Sequence, residues 1–190
     1  MGRWEPDARG RLEMAALELY AEHGYDQTTV AAIAERAGLS ERTFFRHFSD
    51  KREVLFSRGT VLEDLLTASV ADAPAEATPY DVVAAALEAT ATLLEGRREI
   101  APRRQAVIDA HPELRERELG KMTAWAAALT SALGERGVEP RLAGLVAQTG
   151  IAVFRVSFET WARGGATEDL AEILRDSFAE LRNATVTSSP

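Results

Sequence analysis

The sequence contains no cysteine and only three histidines among its 190 residues. The absence of cysteine excludes disulfide bonds and thiolate metal sites. No apolar run approaches the roughly 20 residues that a membrane-spanning helix needs. Residues 1–10 also lack the apolar stretch that is typical of a signal peptide. We therefore expect a soluble, cytoplasmic protein without a membrane segment.

Sequence signatures of enzymes and cofactor sites are missing as well. The chain has no Gly-x-Gly-x-x-Gly stretch, no phosphate-binding loop and no His-Glu-x-x-His pair. A helical bundle that binds two irons needs Glu-x-x-His pairs, but no histidine here has a glutamate three positions before it. We expect no enzymatic activity, no cofactor and no metal site.

Acidic residues exceed basic ones by 30 to 22, which gives a net charge of −8. The excess is uneven, because residues 1–60 hold 9 basic and 10 acidic residues, whereas residues 61–190 hold 13 and 20. Residues 40–52 carry four basic and two acidic side chains. Since charges are screened over about 8 Å at physiological salt, a locally basic surface near residues 40–52 can still bind a polyanion.

Apolar residues recur at helical spacing throughout, which predicts an all-α fold of about nine helices. The 46% of hydrophobic residues can bury a sizeable core. We predict one domain over residues 1–50 and a second over residues 51–190, connected by the fourth helix. The expected helices cover about 7–23, 29–37, 41–47, 51–71, 80–95, 98–110, 112–135, 141–163 and 168–183.

Residues 28–48 combine two short helices with a tight turn at Gly38, the arrangement of a helix-turn-helix. Phe44 and Phe48 are four residues apart, so they share one face of the third helix and point inward. That phase turns three other side chains outward, namely Arg42, Phe45 and Arg46. The third helix is therefore the predicted recognition helix for DNA.

The first turn of a recognition helix meets base edges first. Arg42 can pair with guanine through two hydrogen bonds, and Glu41 can accept one from cytosine. Lys51 is expected to open the fourth helix, where free backbone donors and the helix dipole favour a phosphate. The alternative is that the basic residues only form a solvated surface and do not contact DNA. The predicted DNA contacts are Thr28, Thr29, Ser40, Glu41, Arg42, Thr43, Phe45, Arg46, His47 and Lys51.

Residues 7–58 resemble the DNA-binding domain of the TetR family of regulators. The resemblance lies in a Thr-rich opening at 28–30, small residues in the second helix, the turn at 37–40, and an aromatic recognition helix that ends in His47-Phe48. One departure matters, because family members usually carry tyrosine at the position of Phe45, and its hydroxyl commonly reaches a phosphate. The hold on DNA should therefore depend more on Thr43, His47 and Lys51.

The eighth helix is apolar almost all round, so we expect it to be buried on every side, in part by a second subunit. Arg155 lies within it and would be buried. A buried arginine needs an acceptor, either a structural partner such as Glu159 or an anionic group of a ligand. The resemblance to the family implies a homodimer formed through the last two helices. Such a dimer suits a palindromic DNA site.

Residues 97–182 resemble a TetR C-terminal subclass that is associated with acyl-CoA-like ligands and includes regulators of mycofactocin gene clusters. The resemblance implies a ligand-responsive homodimeric repressor of a palindromic operator in double-stranded DNA, released by a small hydrophobic or acyl-CoA-like effector. The alternative is a helical ligand-binding or adaptor module with weak DNA binding. Core packing explains the aromatic residues among the ligand candidates, Trp125, Phe154 and Phe158, equally well. The predicted ligand residues are Arg104, Ile108, Trp125, Phe154, Arg155 and Phe158.

Overall fold

The computed structural model describes residues 7–163 and 169–186. Within them the chain is helical and has no strand, which confirms the predicted all-α class. A single-turn 3-10 helix covers Glu53–Phe56. The α-helices are α1 (Ala8–His23), α2 (Val30–Arg36), α3 (Glu41–His47), α4 (Gly59–Ala71), α5 (Pro79–Glu95), α6 (Ala101–Ala110), α7 (Pro112–Glu135), α8 (Pro140–Ala162) and α9 (Leu170–Val186).

The chain divides into two compact units, each of which combines separate stretches of sequence. The first comprises the described part of Met1–Arg58 together with Arg103–Glu118, and the second comprises Gly59–Pro102 together with the described part of Leu119–Pro190. The boundary does not coincide with residue 50. Within the first unit, Arg104 Nε donates to the carbonyl of Leu55 at 2.6 Å, and the His111 ring lies 4.8 Å from that of Tyr25. These contacts tie residues 103–118 to the first unit.

Side-chain caps and one glycine define the short helices α2 and α3. Thr29 Oγ1 accepts from the Ala32 amide at 3.1 Å, and Ser40 Oγ accepts from the Thr43 amide at 3.2 Å. These side chains satisfy amides at the helix starts that have no partner within the helix. Gly38 follows α2 with a φ of +65°, a left-handed conformation that glycine adopts without strain. The chain can therefore turn directly from α2 into α3.

The prediction of a continuous helix over 51–71 was wrong. A turn, the 3-10 helix and a second turn precede α4, which begins at Gly59. Val54, Leu55 and Phe56 are all buried. Turns at residues 51–52 and 57–58 flank this buried segment and separate it from α4. Asp50 does act as a cap, accepting from the amides of Arg52 at 2.8 Å and Glu53 at 3.1 Å.

In the second unit, α5 packs against α4, α8 and α9. Gly150 marks a close approach of α8 to α5, because a Cβ atom there would lie 2.4 Å from Val83 Cγ1. Polar contacts add to this packing. Tyr80 Oη donates to the carbonyl of Phe178 at 2.6 Å, and Trp161 Nε1 donates to the Glu95 carboxylate at 3.2 Å.

In the single chain only one face of α8 is buried, and the expected cover of the other face by a second subunit stays a prediction. Its outer face exposes Leu142 (45%), Leu145 (59%) and Val156 (63%). Arg155 lies on this face and is exposed, because it is out of phase with the buried positions 147, 151 and 154. Glu159 pairs with Arg163 at 3.5 Å, not with Arg155. α8 is also long and apolar enough to cross a membrane by length and composition, a property that core helices of soluble proteins share.

Candidate nucleic-acid interface and effector site

The recognition helix α3 has the orientation that its aromatic spacing predicted. Phe44 is fully buried and its ring lies 5.5 Å from that of Phe48, which is also buried. Phe45 points the other way and is 56% exposed. Arg42 and Arg46 are exposed as well. One face of α3 therefore presents two guanidinium groups and an aromatic ring to solvent.

The cations around α3 differ in what they contact. Within the described part of the chain, Arg42 and Arg46 form no hydrogen bond or ion pair. By contrast, Arg52 pairs with Asp50 at 2.6 Å, and Arg36 on α2 pairs with Glu22 at 2.7 Å. The Arg52 guanidinium holds the pKa of the Asp50 carboxyl below its usual range. Arg42 and Arg46 thus carry the positive charge that is available to an outside anion.

The hydroxyl side chains that were predicted to contact DNA fall into two groups. Thr28 is 3% exposed, and its Oγ1 donates to the carbonyl of Gly24 at 2.8 Å, so this side chain faces inward. Thr29 and Ser40 are exposed and already cap helices. Thr43 Oγ1 lies 3.0 Å from Ser40 Oγ, and Glu41 is exposed beside them. The first turn of α3 therefore offers a polar surface formed by residues 40–43.

Lys51 contacts the protein's own backbone. Its Nζ donates to the carbonyls of Tyr25 at 2.7 Å, Thr28 at 3.0 Å and Asp26 at 3.2 Å. The same nitrogen lies 4.4 Å from the centroid of the Tyr25 ring. Tyr20 Oη also donates to the carbonyl of Lys51 at 2.7 Å. The expected helix start is absent at Lys51, and its ammonium holds the loop that precedes α2. Phosphate contact by Lys51 stays a prediction.

His47 is half-buried at the end of α3, and its Nε2 has no hydrogen-bond partner in the described part of the chain. Burial lowers the pKa of its imidazole, and the positive charges of Arg46 and Arg9 lower it further. In the protein without DNA, these effects favour the neutral imidazole.

Sequence reasoning missed the pair formed by Tyr25 and His111. The Tyr25 ring contacts both the Lys51 ammonium, at 4.4 Å, and the His111 ring, at 4.8 Å, and burial raises the pKa of its hydroxyl to about 12. His111 Nδ1 lies 2.8 Å from the carbonyl of Val107, and its Nε2 lies 3.9 Å from an Asp26 carboxylate oxygen. No local pattern indicates this pair, because its members are 86 positions apart in the chain.

The predicted ligand residues belong to both units. Trp125, Phe154 and Phe158 lie together in the second unit, with Trp125 and Phe154 centroids 5.7 Å apart and Phe154 stacked on Phe158 at 5.8 Å. Arg104 belongs to the first unit and pairs with Glu118 at 2.9 Å. Ile108, also in the first unit, is 1% exposed. Arg155 is exposed on the outer face of α8.

Comparison with known proteins agrees with this geometry. Residues 14–57 match the bacterial regulatory proteins of the tetR family, and residues 77–185 match the MftR C-terminal domain. The HTH-type transcriptional regulator TcmR of Streptomyces glaucescens is 37% identical over 81 residues, which are 43% of this chain and 36% of TcmR. The chain thus spans about a third of that relative's length.

Two further proteins are similar over nearly the whole chain. The protein named as mycofactocin biosynthesis transcriptional regulator MftR of Mycobacterium tuberculosis is 25% identical over 94% of this chain and 91% of its own length. The transcriptional regulator FadR of Bacillus subtilis, solved in complex with stearoyl-CoA, has a similar fold. The TM-score is 0.63 at 23% identity, over 90% of this chain and 96% of that one.

The helix-turn-helix with its outward cations and the separate helical unit define a transcriptional regulator with a ligand-binding domain. The chain belongs to the TetR family, in the group whose C-terminal domain is of the MftR type.

Proposed function

We propose that the chain is a homodimeric repressor that binds a palindromic operator and leaves it when a small hydrophobic or acyl-CoA-like effector binds. The observation that carries the DNA-binding part is the outer face of α3, where Arg42 and Arg46 are exposed without internal partners. The relatives' names as regulators support it. The protein acts in the cytoplasm, and the proposal includes no catalytic step.

Each exposed residue of α3 has a chemically distinct role in this proposal. Arg42, in the first turn, reads a guanine through its two-pronged guanidinium. Arg46, one turn later, contacts phosphate. Phe45, at 56% exposed, packs against a thymine methyl or a sugar. Glu41 and Thr43 complete the polar edge that meets the bases and the phosphate backbone.

The dimer forms through the outer faces of α8 and α9. Leu145 and Val156 expose 59% and 63% of their surface on the outer face of α8. Large apolar side chains exposed on one face of a helix are best covered by a protein partner, and a second copy offers the same face through two-fold symmetry. Two recognition helices about 34–36 Å apart then reach successive major grooves of a palindrome.

The effector part of the proposal depends on the second unit. Its match to the MftR C-terminal domain and its fold similarity to FadR, solved with stearoyl-CoA, point to an acyl-CoA-like ligand. Buried Trp125 and Phe154, with partly buried Phe158 stacked on Phe154, provide apolar surroundings for a chain of that type. Binding there shifts the population toward a spacing of recognition helices that no longer fits the operator.

A footprint over the DNA upstream of the gene tests the proposal. At about 100 mM salt, where specific complexes usually survive, we expect a protected palindrome that disappears when an acyl-CoA is added. Arg42→Ala should relax base preference at one position of each half-site, whereas the control Arg163→Ala in the second unit should leave the footprint unchanged. Absence of any protected palindrome would refute the DNA-binding role.

A helical ligand-binding or adaptor module is the second candidate. It is favoured by Phe45, which lacks the hydroxyl expected at its position, and by the internal contacts of Lys51 and Arg52. For such a module, acyl-CoA would raise the melting temperature while no DNA sequence bound specifically.

A further inference from the structure

The indole nitrogen of Trp125 is a buried hydrogen-bond donor without an acceptor. Trp125 lies on α7 and is 1% exposed. In the described part of the chain, its Nε1 forms no hydrogen bond. Such donors are rare in folded proteins, because burial removes water without replacing its hydrogen bond. A buried donor of this kind calls for a specific explanation.

Trp161 shows how the same fold treats an indole with a structural role. It is 2% exposed, and its Nε1 donates to the Glu95 carboxylate at 3.2 Å. Trp125 and Trp161 both lie in the core of the second unit. One indole therefore has a protein acceptor and the other does not, although their burial is nearly equal.

The surroundings of Trp125 restrict what could accept its proton. Phe154 packs edge-on against the indole at 5.7 Å, and Met122 and Leu129 belong to the same buried core. The Lys121 ammonium lies 4.8 Å from the centroid of the ring, over its face and not at its N–H. Apart from that ammonium over the ring face, the named neighbours of the indole are apolar, so its N–H suits one neutral oxygen acceptor on a largely apolar ligand.

We propose that Trp125 Nε1 donates a hydrogen bond to the carbonyl oxygen of the bound effector, and that this oxygen belongs to an acyl thioester. The inference rests on the proposed function, in which the effector is an acyl compound. It adds the atom that recognises the carbonyl oxygen of that effector. Trp125 thus distinguishes a thioester from a ligand with the same chain but no carbonyl.

The test compares dodecanoyl-CoA with S-dodecyl-CoA, the thioether that lacks only the carbonyl oxygen. The parent protein should bind the thioester about tenfold more tightly, the ratio that one hydrogen bond of about 1.4 kcal/mol gives. Trp125→Phe keeps an aromatic ring but removes the donor, so it should bind both compounds alike. The control Trp161→Phe should retain the tenfold preference. Isothermal titration calorimetry gives each Kd.

Because phenylalanine is smaller than tryptophan, a second variant preserves volume. Benzothienylalanine at position 125 replaces the N–H by sulfur and should abolish the preference in the same way. Equal binding of both compounds by the parent protein would overturn the inference, as would a preference that persists without the N–H. If neither compound binds, the acyl effector itself is refuted, and this inference fails with it. Binding without discrimination refutes only the role of Trp125.

Discussion

Two roles of Lys51 in DNA binding can be distinguished by experiment: direct contact with a phosphate, and positioning of the loop before α2. From the sequence, Lys51 is predicted to contact a phosphate directly. In the structure its ammonium donates to the carbonyls of Tyr25, Asp26 and Thr28. A lysine in that position acts indirectly, by fixing the loop that leads into α2. The variant Lys51→Met removes the ammonium and keeps most of the aliphatic side chain.

The size of the effect follows from these contacts. A hydrogen bond to a charged group contributes about 1.5–3 kcal/mol. Since the three bonds share one partly exposed ammonium, we expect their sum to resemble one such bond, about 2 kcal/mol. For a chain of this size, that loss lowers the melting temperature by about 4–8 °C. Differential scanning calorimetry of the free protein measures it.

The salt dependence of operator binding then distinguishes the two roles. Each phosphate contact to duplex DNA contributes about 0.9 to the slope of log K against log salt. Lys51→Met should weaken binding but leave this slope unchanged. The control Arg46→Gln should flatten the slope by about 1.8 for the two subunits of a dimer, with no change in melting temperature. A Lys51→Met protein with unchanged stability and a slope flattened by about 1.8 would refute the positioning role.

Three further variants test the packing of α5 against α8, the contact of Phe45 with DNA, and the titration of His47. Gly150→Ala should lower the free energy of unfolding by about 1–3 kcal/mol, because its Cβ would lie 2.4 Å from Val83 Cγ1. The control Gly120→Ala, with no neighbour within 4 Å, should raise it by about 0.5–1 kcal/mol in urea titrations, and equal effects would contradict the close approach of α5 and α8. Phe45→Tyr should tighten operator binding about fivefold if its hydroxyl reaches a phosphate, and an unchanged Kd in gel-shift titrations would exclude that contact. The lowered pKa of His47 means that the folded state binds a proton less readily than the unfolded chain. Stability is therefore lost as the pH falls from about 6.5 through the lower pKa of the folded state; His47→Gln should reduce that loss in urea titrations at several pH values, and parallel curves for parent and variant would argue against it.

Much of the DNA-binding unit could be predicted because its determinants are local. Phe44 and Phe48 are four residues apart, so they share the buried face of α3. The exposure of Arg42 and Arg46 on another face of the helix follows from that spacing. Ser40 accepts from the Thr43 amide at 3.2 Å, a capping role that a serine directly before a helix favours. These features require no knowledge of distant residues.

The failures concern residues whose surroundings come from distant parts of the chain. The helix expected at Lys51 is replaced by a turn and a 3-10 helix, in which Val54, Leu55 and Phe56 are buried. Arg155 was expected inside the core, but one face of α8 contacts α5 and α9 while the other carries Arg155 outward. Periodicity indicates that a helix has faces; which face is covered depends on neighbours far along the chain.

The sequence by itself determined the helical class, the helix-turn-helix and the outward cations of α3, since helix periodicity, caps and the turn at Gly38 act over a few residues. Only the tertiary structure decided which polar groups are already satisfied. It engages the ammonium of Lys51 with three carbonyls and leaves the buried N–H of Trp125 without an acceptor. The reason is physical, because a hydrogen bond requires a partner within about 3 Å, and that distance is set by the folding of segments that are remote in sequence.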